Sequence, residues 1–155
     1  MSTAGIRYAH TNVIAREWKA LARFYVEVFG CEPVGPERDH HGPDREALTN
    51  IPDAHWRGRH FRLPGHGDHG PTLEIFEFEQ KLARGGEPVI NRPGFTHLAF
   101  EVPDVAAKRQ EILARGGREI GQVVTLDIPG AGQLMLVYLT DPEGNILELQ
   151  HWQKV

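Results

Sequence analysis

The sequence predicts an α+β protein made of two copies of a βαβββ module. A strand-like stretch followed by an amphipathic helix that ends at glycine occurs twice. His10 and Gly30 recur as His97 and Gly117 at a common offset of 87 residues. Further along, Gly70-Pro-Thr-Leu-Glu74-Ile recurs as Gly144-Asn-Ile-Leu-Glu148-Leu, and there the offset has fallen to 74. Order and spacing that repeat in this way mark an internal duplication rather than a single sheet.

In the first module, residues 6–13 read as a strand. Residues 15–29 then place Trp18, Leu21, Tyr25 and Val28 at three- and four-residue intervals, the helical period, and Gly30 supplies a helix end. Strands are predicted at 32–37, 57–63 and 72–78. The second module follows the same order. Residues 95–102 form a strand, Pro103-Asp104 opens a helix running to about Arg115, and strands are predicted at 119–126, 133–139 and 145–152. Asp141-Pro-Glu-Gly144 is a turn in which Pro presets φ and Gly adds freedom. The 13 extra residues of the first half are assigned to a His-, Pro- and Gly-rich loop at 37–56. The modules are taken as residues 1–79 and 94–155, joined by a linker at 80–93, within one domain.

Composition narrows the function. The chain of 155 residues carries 17 Lys and Arg against 21 Asp and Glu, a net charge of −4, with the two signs mixed along its length. No basic stripe is present, which argues against nucleic-acid binding. No apolar run is long enough to span a membrane, and the N-terminus lacks a signal-peptide layout, so the expectation is a cytoplasmic protein. Cys31 is the single cysteine and has no partner for an internal disulfide.

Strand alternation divides each strand into two faces. Thr96, Leu98, Phe100 and Val102 suit packing under a helix, which leaves His97 on the opposite face. Leu147 and Leu149 are likewise opposed to Glu148, and Leu73 and Ile75 to Glu74. Tyr8, His10 and Asn12 share a face of the first strand. Four strands therefore each turn one His or one Glu away from the helices. Carboxylates gathered in a cavity repel one another unless a cation lies between them, and a divalent metal resolves that conflict.

The chain resembles the vicinal oxygen chelate superfamily, the glyoxalase, bleomycin-resistance and extradiol-dioxygenase group. The resemblance lies in His10, Phe24-Tyr25 with Phe29-Gly30, Thr72-Leu-Glu74-Ile, Gly94-Phe-Thr-His97-Leu-Ala-Phe and, most specifically, Asp141-Pro-Glu-Gly-Asn-Ile-Leu-Glu148-Leu. It implies paired βαβββ modules forming a cupped or barrel-like mixed sheet, and a homodimer that shares modules. It also implies His10, Glu74, His97 and Glu148 as ligands of one divalent ion per site, with Ni, Zn, Co, Mn and Fe all suited to imidazole and carboxylate. The ligand set is most similar to that of lactoylglutathione lyases, which move a proton next to a metal-polarised carbonyl of a small molecule. Glu148 is then the expected base, with Glu74 able to act on the opposite face. The positions that help such enzymes hold glutathione are Ile14 and Phe78 here. Both are apolar, so the resemblance carries over the metal chemistry and not the glutathione grip. Tyr8, Asn12 and Tyr138 are expected to line the substrate pocket.

Two alternatives belong to other classes. An extradiol-type dioxygenase uses two His and one Glu around Fe(II), and Glu74 would take a position that chemistry needs open. A bleomycin-resistance-like protein would bind an aromatic cation without metal, which the negative charge and Trp18, Trp56 and Trp152 permit. Among the other histidines, His40-His41 and His66 with His69 are read as solvated loop residues. His55, His60 and His151 show no distinctive spacing.

Overall fold

The computed structural model describes residues 5–153 and contains two compact units, one up to Ala83 and one from Arg84 onward. In the first unit, β1 (His10–Ile14) leads into α1 (Trp18–Phe29), then β2 (Glu32–His40), α2 (Pro43–Thr49), β3 (Trp56–Arg62) and β4 (Thr72–Phe78). The four strands form one sheet in the order β1-β4-β3-β2, with β1 parallel to β4 and the remaining pairs antiparallel. A parallel pair needs a crossover long enough to carry a helix, and α1 supplies it.

The apolar stripe of α1 is what holds this unit together. Trp18, Leu21, Ala22, Phe24, Tyr25, Val28 and Phe29 are all buried, and the helix packs against β4 and β3. Leu73 and Ile75 of β4 meet it, both without solvent exposure. The helix begins at Trp18, later than residue 15, and its Trp18 N–H is taken up by the carboxylate of Glu77 at 3.0 Å. It ends as expected at Gly30, whose φ of 69° lets its own N–H reach the Val26 carbonyl and the following Cys31 N–H reach that of Tyr25.

The loop predicted at 37–56 is partly ordered. Strand β2 runs on to His40 through an irregularity between Val34 and Arg38, where Gly35 and Pro36 interrupt the ladder. Helix α2 follows, with Pro43 at its first turn, Asp44 and Glu46 near its positive end, and Asn50 closing it in the left-handed region at φ 55°. Strand β1 is shorter than the expected 6–13 and extends one residue beyond it, to Ile14.

The second unit contains β5 (His97–Glu101), α3 (Val105–Ala114), β6 (Arg118–Glu119), β7 (Val124–Ile128), β8 (Gly132–Thr140) and β9 (Ile146–Gln153). Its sheet has the order β5-β9-β8-β6, with β7 also paired to β8 and β5 parallel to β9. The single strand expected at 119–126 is therefore two strands. Ile120 and Gly121 both donate to the Tyr138 carbonyl, a bulge that breaks the ladder between them. Asp104 caps α3 by accepting from the Ala107 N–H at 2.9 Å. Val105 and Ile112 of the helix are buried, as are Val137, Leu139, Leu147 and Leu149 of the β8–β9 pair against which it packs. Residues 84–93, expected as linker, pack on this unit, where Arg84 donates to the Gly144 carbonyl at 3.0 Å.

The Asp141–Asn145 turn that joins β8 to β9 is closed by its own carboxylate. Asp141 is fully buried, its Oδ1 accepts from the Glu143 and Asn145 N–H groups at 2.9 Å each, and its Oδ2 accepts from the Asn145 side chain at 2.7 Å. No helix among the described residues is long and apolar enough to cross a membrane.

Candidate metal centre

Glu74 lies mid-strand on the face of the first sheet turned away from α1, with its side chain 13% exposed. The parallel register sets Asn12 of β1 beside it, and Asn12 Nδ2 donates to Glu74 Oε2 at 3.0 Å. His10, two residues earlier on the same face, places Nε2 at 3.2 Å from the same oxygen. From the other side, His60 of β3 stands directly opposite Glu74 in the antiparallel ladder. Its Nε2 is 3.1 Å from Oε1, and its Nδ1 is 2.8 Å from Thr72 Oγ1. The His10 and His60 rings meet edge to face with centroids 5.4 Å apart.

The second unit repeats the pair. His97 Nε2 lies 3.2 Å from Glu148 Oε2, and the Glu148 side chain is 11% exposed. Tyr138 occupies the ladder position opposite Glu148 and has its ring 5.2 Å from that of His97. His60 and Tyr138 thus hold equivalent places in the two sheets. The correspondence is hidden in the sequence because the β3–β4 connection is four residues longer than the β8–β9 connection. Part of the length difference assigned to residues 37–56 therefore lies between β3 and β4.

Burial shapes the electrostatics of these groups. Desolvation pushes the His60 imidazole below its ordinary value; Arg38 and His10 add to the effect, while Glu74 works against it. Burial pushes the Tyr138 phenol up, and the Glu148 carboxylate beside it pushes it further. Nearby, His40 rests against Trp56 and Phe76, and burial, with Arg45 and Arg38, lowers its pKa as well.

Of the residues singled out in the sequence, His10, Asn12 and Glu74 come together in one unit, and His97, Tyr138 and Glu148 in the other. Tyr8 is placed differently: it is 63% exposed and its hydroxyl lies on Thr11 Oγ1. His60 is the residue that sequence reasoning missed. Its signal was the cross-strand partner of Glu74, which requires the register of β3 on β4.

Among the described residues, no group of three or more His, Cys, Asp or Glu side chains is gathered closely enough to hold an ion. The donor chemistry of each pair nevertheless suits one. Two bonds of about 2.1 Å at right angles set the donor atoms about 3 Å apart. The Nε2 to Oε2 distance is 3.2 Å in both pairs, so the donors of each pair need little movement to share an ion. Neutral imidazole and carboxylate suit several divalent metals.

The family model of the glyoxalase/bleomycin resistance protein/dioxygenase superfamily matches residues 7–149, and the chain belongs to that superfamily. Solved structures share the fold. A glyoxalase family protein from Bacillus cereus is 17% identical, with 98% of each chain covered and a TM-score of 0.79. A glyoxalase family protein from Enterococcus faecalis is 25% identical over 97% of this chain and 99% of its own, with a TM-score of 0.57. The fosfomycin resistance protein FosX from Listeria monocytogenes, solved with Mn(II) and sulfate, is 14% identical over 98% of this chain and 95% of its own, with a TM-score of 0.54. No curated protein matches the chain.

Proposed function

We propose that the protein is a metal-dependent enzyme of the glyoxalase type, a lyase or isomerase that shifts a proton next to a carbonyl of a small molecule with neighbouring oxygens. The observation that carries this reading is the pair of His–Glu contacts, each with Nε2 and Oε2 at 3.2 Å, borne on equivalent strands of the two units. His10, Glu74, His97 and Glu148 are the proposed ligands of one divalent ion. Such an ion supplies Lewis-acid stabilisation of the negative charge that develops on the substrate oxygen.

The chain's own residues do the rest. Glu148 is the proposed base, taking the proton from the carbon beside the carbonyl and returning it to the neighbouring carbon. Tyr138, directly opposite Glu148 in the ladder, orients that carboxylate. Ile14 and Phe78 offer only apolar contact, which favours a substrate without a glutathione arm. A homodimer belongs to the same proposal, and its expected signature is a dimeric mass in solution.

The test is metal content per chain in untagged protein, measured beside the Glu74→Ala/Glu148→Ala variant. About one ion per chain in the wild type and its loss in the variant are expected. A wild type that takes up none of Ni, Zn, Co, Mn or Fe(II) would overturn the reading and turn attention to metal-free binding of aromatic ligands.

A further inference from the structure

We infer that His60 is a positioning residue that holds Oε1 of Glu74, so that this carboxylate offers a divalent ion a single oxygen, the Oε2 turned toward His10. The inference rests on the metal-dependent reading above and deepens it.

The geometry sets the His60 ring between two polar partners, Glu74 Oε1 at 3.1 Å and Thr72 Oγ1 at 2.8 Å. An ionised carboxylate only accepts, so the His60 nitrogen 3.1 Å from Oε1 must carry the hydrogen. Nδ1 is then bare and accepts from the Thr72 hydroxyl at 2.8 Å. The acceptor-only Glu74 carboxylate thereby sets the tautomer of His60, while the Thr72 hydroxyl, able to donate or accept, anchors the ring so that His60 in turn orients Glu74. On the other side Asn12 donates to Oε2 at 3.0 Å. Turning the carboxylate about its Cγ–Cδ bond would break both contacts, so donors on two strands hold the plane of the group. His60 and Glu74 are also well shielded, at 14% and 13% side-chain exposure, which limits competition from water.

The consequence concerns how many positions the ion keeps open. A carboxylate free to turn can bind through both oxygens. One whose second oxygen is occupied by an imidazole binds through one and leaves a further position for substrate. Hydrogen bonds of this kind to ligating groups are worth about 10- to 100-fold in metal affinity. The second unit has Tyr138 in the equivalent place, so the two carboxylates are held by unlike partners.

The experiment has a metal-free arm and a metal arm. In metal-free protein, ring ¹⁵N shifts of the histidines should show His60 as the Nε2–H tautomer, and Glu74→Ala, which removes the acceptor, should erode that preference. In the second arm, Co(II) affinity is measured by chelator competition, without substrate. His60→Ala should weaken it about 10- to 100-fold and change the cobalt visible spectrum. His60→Gln, which keeps a donor at the Nε2 position, should restore most of the affinity and the spectrum. An Nδ1–H tautomer, or equal affinity and spectrum in His60→Ala, would overturn the inference while leaving the metal reading intact. If the wild type binds no Co(II), both fall together.

Discussion

Replacing Asp141 by Ala should destabilise the protein by about 3 kcal/mol. The carboxylate is fully buried and accepts from three donors, the Glu143 and Asn145 N–H groups and the Asn145 side-chain amide, at 2.7 to 2.9 Å. The truncation leaves all three without their acceptor. An orphaned donor costs about 1–3 kcal/mol, and the lower end applies because Glu143 and Asn145 are half-buried and water can replace part of what is lost. Three donors at about 1 kcal/mol each give the total. With a urea dependence of about 1.5 kcal/mol per molar, the unfolding midpoint should fall by about 2 M. Asp141→Asn should recover most of the loss, because its amide oxygen can take the place of Oδ1 and accept from both backbone N–H groups, leaving only the Asn145 side-chain amide facing an NH₂ donor. The assay is urea unfolding followed by far-UV circular dichroism. A loss below about 1 kcal/mol with an unchanged slope would show that the carboxylate does not hold this turn.

Further outcomes follow from other positions. Glu148→Gln should leave folding intact and cut turnover by about a hundredfold or more, the scale of a lost general base; undiminished turnover in steady-state kinetics would remove Glu148 from the proton transfer. Gly58→Ala should fold poorly, because the new methyl would fall on the Ile75 carbonyl and the Phe76 ring, with the Phe76 Cα 2.8 Å away; normal expression and an unchanged melting temperature would contradict this. Burial pushes the Cys31 thiol from about 9 up to about 12, so the native state keeps its proton where the unfolded chain has lost it. Cys31 should therefore make stability fall as pH rises from about 9 toward 12, by about 1.4 kcal/mol per pH unit. Urea titrations of wild type and Cys31→Ala at pH 8.5 and 10.5 check this, and parallel losses in the two proteins would refute it.

The parts of this protein that are legible in its sequence are those encoded over short distances. The stripe of α1, its Gly30 end and the carboxylate turn before β9 all lie within one helix turn or one connection. Strand β4 is found at its predicted bounds because alternation separates Leu73 and Ile75 from Glu74 within seven residues. The duplication added a second kind of information, pairing His10 with His97 and Glu74 with Glu148 before any contact was known.

What only the tertiary structure decided is non-local. Helix α2 spans seven residues, too short for a periodic signal, and is set by Pro43 at one end and a left-handed Asn50 at the other. The division between β6 and β7 depends on where β8 offers its carbonyls, since Ile120 and Gly121 compete for the same oxygen of Tyr138. His60 shows the principle most clearly. Alternation along β3 places it on a face but does not say which residue of β4 it meets. That is fixed by strand register, which the buried side chains of two strands and the connection between them set together. The sequence alone determined which side chains can carry the chemistry, and the paired strands determined which oxygen each imidazole reaches.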